Sequence, residues 1–198
     1  MVVDSGLTFE SHVTAVIRRC YATLGGLSRS ARGLPRNVKQ MIVEMLIFPH
    51  IRYCMSVWAG CGVVQRHRIQ KVINHCAQVV MGVRRSAHVT PLLAELCWPH
   101  IDRLVAENDC STVHYLLNNV HAPKCLSERF VQRSDVSRRQ TRATENMQLE
   151  LPRVRTEHAR KFFHYRACDV WNSLPADIRS SRTSATCRRR CRRLLNGD

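Results

Sequence analysis

The chain has 198 residues, of which 44% are hydrophobic and 23% are charged, so it can form a core and is not expected to be disordered throughout. Its formal net charge is +16, and 27 of its 31 basic residues are arginines. The planar guanidinium matches phosphate oxygens, so this balance predicts a polyanionic partner such as RNA or DNA. A genomic base composition that favours arginine codons is the alternative explanation.

The same composition argues against secreted and membrane proteins. The first residues lack a basic segment followed by a long apolar core, as a signal peptide would have. No apolar run approaches the roughly 20 residues of a membrane span. We therefore expect a nuclear or cytoplasmic protein whose ten cysteines are reduced thiols.

Apolar residues at helical spacing predict helices over most of the first 119 residues. The first spans Thr8 to Leu27. The second starts at Pro35 and carries an apolar stripe that would face the core: Val38, Met41, Ile42, Met45 and Leu46. The third runs from Val64 to Val80 and ends at Gly82, a favoured C-cap residue. Thr90-Pro91 begins a short helix, and a longer one ends near Asn118.

The composition changes after Asn119. Residues 120–155 show little periodicity, although Met147, Leu149 and Leu151 alternate with polar residues and allow one short strand or hairpin. Thr156 is suited to cap a helix over Glu157 to Asn172, with Phe162 among its buried residues. The fold class predicted is mainly α. It comprises a helical domain over 1–119, an irregular connector over 120–155 and a basic helical region over 156–198.

Neither catalysis nor metal binding is predicted from the motifs. The chain lacks an Asp-Asp pair, a glycine-rich phosphate loop and the C-x2-C spacing of structural zinc sites. The closest cysteine and histidine pairs do not combine into a set of four ligands. Asp102 and Asp109 are seven residues apart on one predicted helix, where they are expected to lie on a solvated face. We expect no catalytic residue, metal site or cofactor in this chain.

The two tryptophans on apolar stripes, Trp58 and Trp171, are interpreted as core residues rather than base-stacking residues. The candidate nucleic-acid contacts are basic residues off those stripes, which would bind phosphates and carry little sequence information. They are Arg18, Arg19, Arg66, Arg68, Lys71, Arg84, Arg85, Arg138, Arg139, Arg160, Lys161, Arg188, Arg189 and Arg190, with Arg192 and Arg193 in the same arginine run. A solubilising surface is the alternative for each of them.

Four motifs occur in a family-like order. They are D-S-G-L-T-F-E-S-H-V from Asp4 to Val13, F-P-H-I-R-Y-C from Phe48 to Cys54 followed by Val57-Trp58, the residues Ile69, Gln70, Asn74 and Gln78, and W-N-S-L-P from Trp171 to Pro175. Together they resemble the region after the palm domain in jockey-like non-LTR retrotransposon reverse transcriptases, including transposon proteins of ticks. The resemblance covers about residues 4–180. Trp58, Trp171, Asn172, Leu174 and Pro175 would be its structural residues.

The resemblance implies a thumb-like helical bundle and C-terminal extension that grip a template–primer duplex for an upstream palm domain. The palm, with its Asp pair and Mg²⁺, would lie before Met1, so the isolated chain is expected to lack polymerase activity. The chain departs from the family in the stretch from Cys187 to Arg193, which is rich in arginine where the family has an apolar-rich helix. A frameshift near the C-terminus would explain this difference.

Two functional hypotheses follow. The first is a non-catalytic fragment that binds template–primer nucleic acid through its basic surface. The second is an inactive, translated remnant of a decayed transposable element, unstable without the palm. The remnant hypothesis predicts exposed apolar surface near Met1. A sequence-specific DNA-binding helical domain is a weaker third possibility, because nothing in the chain fixes a recognition helix.

Overall fold

The computed structural model describes residues 1–30, 33–136 and 147–196, and within them the protein is mainly helical, as the sequence predicts. The chain forms two compact units, residues 1–102 and residues 103–198. The boundary lies near the start of a helix and not at residue 119. The reason is that Cys110, Val113 and Leu116 of this helix belong to the same buried cluster as the C-terminal residues.

The first unit contains six helices of the described part of the chain. They are α1 Glu10–Ser30, α2 Arg36–Leu46, α3 Phe48–Arg52, α4 Met55–Trp58, α5 Val63–Met81 and α6 Thr90–Glu95. The packing of α1 on α5 is the most extensive contact between helices in this unit. α1 contributes a stripe at helical spacing that includes Val13, Val16 and Cys20, and α5 contributes Ile69, Val72, Ile73 and Cys76. Each large apolar side chain buried in this way contributes roughly 1.5–3 kcal/mol.

Local features of the first unit follow from single residues. Gly82 ends α5 with a φ of 68°, a left-handed conformation that glycine adopts without strain, so the predicted C-cap is confirmed. Trp58 is fully buried, and its indole N–H donates to the Tyr53 carbonyl at 3.0 Å. Trp58 is therefore a core residue, as expected from the apolar stripe.

The buried stripe predicted for α2 is wrong at three of its five positions, and the other two residues, Val38 and Ile42, are only half-buried. Met41, Met45 and Leu46 are exposed, whereas Val43 and Ile47 are buried. Helical periodicity defines two apolar faces here, and the packing of α2 on α3 and α5 buries the face that carries Val43.

The second unit begins within α7 Ile101–Asn118. Its other described helices are α8 Lys124–Ser127, α9 Arg133–Val136, α10 Glu157–Arg160, α11 Phe163–Ser173, α12 Ala176–Arg179 and α13 Ser184–Asn196. The core combines Cys110 and Val113 of α7, Trp171 of α11, and Cys187 and Cys191 of α13.

The connector predicted over 120–155 is more ordered than expected where the structure describes it. It contains α8 and α9, and its only described β-type pairing is an isolated antiparallel bridge between Gln132 and Leu149. The alternating pattern at Met147, Leu149 and Leu151 thus forms a bridge and not a strand or hairpin. Thr156 caps α10 as predicted, accepting from the Ala159 N–H at 3.2 Å. The long helix predicted after it is broken, and Phe162 at the break is exposed.

Candidate nucleic-acid interface

The predicted contact residues differ in their surroundings. Two of them, Arg138 and Arg139, lie outside the described residues. Three are partly buried and hydrogen-bonded to protein side chains: Arg66, Arg68 and Arg188. The others are exposed: Arg18, Arg19, Lys71, Arg84, Arg85, Arg160, Lys161, Arg189 and Arg190.

Several of these residues lie along one line where α1 meets α5. A guanidinium nitrogen of Arg68 donates to the Thr14 hydroxyl at 3.1 Å, and the rings of Tyr21 and His75 are 5.7 Å apart. The two contacts lie seven residues apart on α1 and seven residues apart on α5, in the same order along both helices. The helices therefore run parallel here over roughly 10 Å.

Arg18 and Lys71 fall between these two contacts. Thr14, Arg18 and Tyr21 are at i, i+4 and i+7 on α1, and Arg68, Lys71 and His75 are at i, i+3 and i+7 on α5. Residues at these spacings share one face of a helix. We call these six residues the α1/α5 seam: Thr14, Arg18, Tyr21, Arg68, Lys71 and His75.

The charge of the seam is not neutralised locally. α5 contains no Asp or Glu, and the single acidic residue of α1 is Glu10 in its first turn. None of the ion pairs in the described part of the chain involves Arg18, Lys71 or Arg85. These three cations are therefore open to an external anion.

The far end of the seam is also electropositive. Burial lowers the pKa of His75, and the nearby charge of Arg85 lowers it further. The Nδ1 atom of His75 is buried and has no hydrogen-bond partner among the described residues. Arg85 thus extends the line of positive charge from Lys71 past His75.

The arginine-dense C-terminal segment has a different environment. It folds as α13, whose Cys187 and Cys191 enter the core, which places Arg188 and Arg192 beside Glu107 of α7. Arg188 and Arg192 approach its carboxylate at 2.7 and 2.8 Å, and Glu107 is almost fully buried. Burial alone would raise the pKa of Glu107, but the hydrogen bonds from Arg192 and Arg188 outweigh it and lower that pKa.

A second buried carboxylate lies two residues further along α7. Asp109 is fully buried and contacts Arg166 of α11 at 2.6 Å. Burial raises the pKa of Asp109 despite this guanidinium. The prediction of a solvated face therefore holds for Asp102, which is exposed and contacts Arg66 at 2.8 Å, but is wrong for Asp109. Spacing on α7 could not reveal that Arg166, 57 residues away, would compensate a buried charge.

The residues that carry the family resemblance make internal hydrogen bonds. Gln70 is buried, and its side-chain oxygen accepts from the Ile101 N–H at 2.7 Å. The Gln78 amide donates to the carbonyls of Arg85 and Ala87 at 2.9 and 3.2 Å. These contacts hold the residues after α5 and the start of α7, so both glutamines act as structural residues.

The W-N-S-L-P segment has a similar structural role. The Trp171 indole donates to the Met147 carbonyl at 2.9 Å. The Asn172 side chain pairs with both backbone groups of Leu149 at 2.8 Å, as a neighbouring strand would. Arg179 is buried and donates to the Leu174 carbonyl at 2.7 Å. Trp171 is therefore a core residue, as interpreted from the sequence.

Three buried thiols meet in the second unit. Cys110 and Cys187 have their Sγ atoms 3.4 Å apart, and hydrogen bonding with Cys187 and then Cys191 raises the pKa of Cys110. Within the described ranges, no group of three or more His, Cys, Asp or Glu residues is arranged to hold a metal ion.

None of the helices in the described part of the chain combines the length and apolarity that crossing a bilayer requires.

Comparison with known proteins supplies no identity for the chain. No protein-family model matches the sequence, no curated protein matches it, and no solved structure matches the fold.

Proposed function

We propose that this protein binds template–primer nucleic acid without sequence preference, as the non-catalytic part of a retrotransposon reverse transcriptase. The observation that carries the proposal is the α1/α5 seam with Arg85, where exposed cations follow one line with no acidic neighbour on α5. Contacts of this kind bind phosphates, and each releases counterions from the polyanion.

The seam combines charge with an aromatic side chain. Tyr21 is partly exposed and lies beside His75, so bases or sugars of a strand held by Arg18 and Lys71 would meet an apolar surface. Such a combination is typical of proteins that follow a backbone rather than read bases. The seam is therefore a better candidate than the Arg188 and Arg192 positions of α13, because these two arginines already bind Glu107.

The proposed partner domain is a catalytic palm. Met1, Val2, Val3 and Leu7 are exposed apolar residues, and a neighbouring domain could cover them. The remnant hypothesis expects the same exposure, so this feature supports an absent partner without separating the two hypotheses. In either case we expect no primer extension by this chain alone, because the Asp pair that holds Mg²⁺ would belong to the palm.

A salt titration with an RNA–DNA hybrid of about 20 base pairs tests the proposal. We expect the logarithm of the association constant to fall linearly with the logarithm of salt concentration. The slope should be about −3, from roughly 0.9 per contact at Arg18, Lys71 and Arg85. Fluorescence anisotropy between about 50 and 200 mM salt measures it. Binding that does not depend on salt would contradict the proposal.

A thermal melt of the same sample separates the binding fragment from the unstable remnant. A folded binding module should unfold cooperatively, whereas a remnant that requires its palm should show no transition and no hybrid binding. Far-ultraviolet circular dichroism in the same buffer, which follows the helical signal, provides the measurement.

A further inference from the structure

A pocket of about 420 Å³ lies in the first unit among α1, α3 and the first residues of the chain. Small-molecule sites have volumes of roughly 300–1,000 Å³, so the pocket is large enough for one nucleotide unit. Its polar lining comprises His12, Arg19, His50 and Tyr53, and Val16 and Pro49 are among its apolar lining. None of its lining residues is acidic.

His12 is the unusual residue of this lining. It is 5% exposed, and its Nε2 has no hydrogen-bond partner among the described residues. Buried polar groups in proteins are nearly always paired, so an unpaired one at a pocket indicates an absent partner. Burial lowers the pKa of His12, followed by the positive charges of the N-terminus and Arg19.

Arg19 supplies a free charge at the same pocket. It is exposed and takes part in none of the ion pairs of the described residues. A cation beside an unpaired imidazole, with no carboxylate in the lining, favours an anion that accepts several hydrogen bonds. Phosphate oxygens fit that requirement better than a neutral ligand does.

Tyr53 offers the aromatic surface. Its backbone is fixed because its carbonyl accepts from the buried Trp58 indole, yet the residue is 58% exposed. An exposed ring on a fixed backbone can stack on a nucleobase, and stacking of this kind tolerates any base.

We propose that this pocket binds one nucleoside monophosphate unit, with the phosphate at His12 and Arg19 and the base against Tyr53. The inference rests on the proposed nucleic-acid function and adds to it a subsite separate from the seam. Met1 and Val2 also line the pocket and make no hydrogen bonds among the described residues. A ligand that reaches the buried His12 Nε2 must displace part of the lining, and moving Met1 and Val2 breaks none of the described backbone hydrogen bonds.

Calorimetry on the full chain with adenosine 5′-monophosphate (AMP) and adenosine tests the proposal. We expect AMP to bind at least about tenfold more tightly than adenosine, because only AMP carries the charge that Arg19 and His12 recognise. Arg19→Gln should weaken AMP binding by about tenfold or more. The control is Arg29→Gln, which removes the same charge from an exposed position on the same helix and should leave AMP affinity within about twofold.

A second variant tests the buried imidazole. His12→Gln keeps an N–H donor and should retain more AMP affinity than His12→Phe, provided both melt like the wild type. Equal affinities for AMP and adenosine, or equal effects of Arg19→Gln and Arg29→Gln, would overturn the proposal. If His12→Phe does not fold, the Arg19 comparison alone decides it.

A trinucleotide with and without a 5′-phosphate identifies the source of the phosphate. Preference for the phosphorylated trinucleotide would assign the pocket to strand ends, and binding of AMP alone would assign it to free nucleotides. The salt titration with the hybrid is repeated on the same sample. If the protein binds the hybrid but not AMP, only the proposal for the pocket is rejected. If it binds neither, the proposed function is rejected as well.

Discussion

The α1/α5 seam and helix α13 are both basic, but they use their charges differently. α13 is the denser of the two, with five arginines among its 13 residues. Two of these, Arg188 and Arg192, bind the buried Glu107. The seam has fewer cations, and α5 has no acidic residue to bind them. The density of arginine along a sequence therefore does not measure the charge available to a partner.

The difference arises from what each helix buries. Cys187 and Cys191 of α13 are fully buried, and Arg188 and Arg192 each follow one of them on the helix, about 100° further round. They consequently face the edge of the core, where an acidic residue can pair with them. Arg18 and Lys71 are exposed at the outer edge of a helix pair whose buried face is mostly apolar, so solvent is their neighbour.

Neutralising the seam should have the largest effect on binding. Arg18→Gln, Lys71→Gln and Arg85→Gln together should weaken hybrid binding about 100-fold at roughly 0.15 M salt, from about fivefold per lost phosphate contact. The matched triple variant, Arg189→Gln, Arg190→Gln and Arg193→Gln, removes the same charge and should cost less than about tenfold. Anisotropy measures both, and equal losses would mean that net charge rather than the seam governs binding.

Removing the acidic partner of α13 should change stability instead. Glu107→Gln should lower the free energy of unfolding by about 1–3 kcal/mol, because charge-assisted hydrogen bonds to two arginines are lost. Asp102→Asn, which disrupts the exposed pair with Arg66, is the control and should cost less than about 1 kcal/mol. Urea unfolding gives both values. A smaller effect at Glu107 than at Asp102 would contradict the structural role of Arg188 and Arg192.

The W-N-S-L-P segment provides a test of whether its residues stabilise the fold or bind nucleic acid. Asn172→Ala should destabilise the fold by about 1–2 kcal/mol, because the backbone N–H and carbonyl of the buried Leu149 lose their partners. The adjacent Ser173→Ala removes an exposed hydroxyl that bonds only within its own helix and should change stability by less than about 0.5 kcal/mol. Thermal unfolding monitors both variants, whose hybrid affinity should match that of the wild type.

The smallest effects concern pH. The pKa of Glu107 is lowered by folding, so its contribution to stability is present above its unfolded pKa of about 4.3 and is lost as pH falls through the folded value. The pKa of Asp109 is raised, so its contribution is complete below about 3.9 and is lost as pH rises through the folded value. We expect Glu107→Gln to flatten the acid side of a stability profile. The free energy of unfolding of the wild type, measured relative to that of Asp109→Asn, should fall as pH rises.

The two residues should give opposite slopes of unfolding free energy against pH. That result would confirm that Arg188 and Arg192 outweigh the effect of burial on the pKa of Glu107, whereas Arg166 does not outweigh it at Asp109. Urea unfolding at pH values from about 3 to 7 covers both transitions. Parallel slopes would contradict the assignment.

Prediction from sequence succeeded where the signal is local. The Gly82 C-cap, the Thr156 N-cap and the helices that apolar spacing predicts at α1 and α5 depend on neighbours within a few residues, and the structure confirms them. It failed where two apolar faces competed, as on α2. It also failed at Asp109, whose partner Arg166 is distant in sequence.

The sequence by itself determined a mainly helical protein, the burial of Trp58 and Trp171, and an excess of arginine suited to a polyanion, because helical periodicity and composition are properties of the chain alone. Only the tertiary structure decided which cations remain free. Ion pairs such as Arg188 with Glu107 join residues 81 positions apart, and which acidic residue meets which arginine depends on how the helices pack.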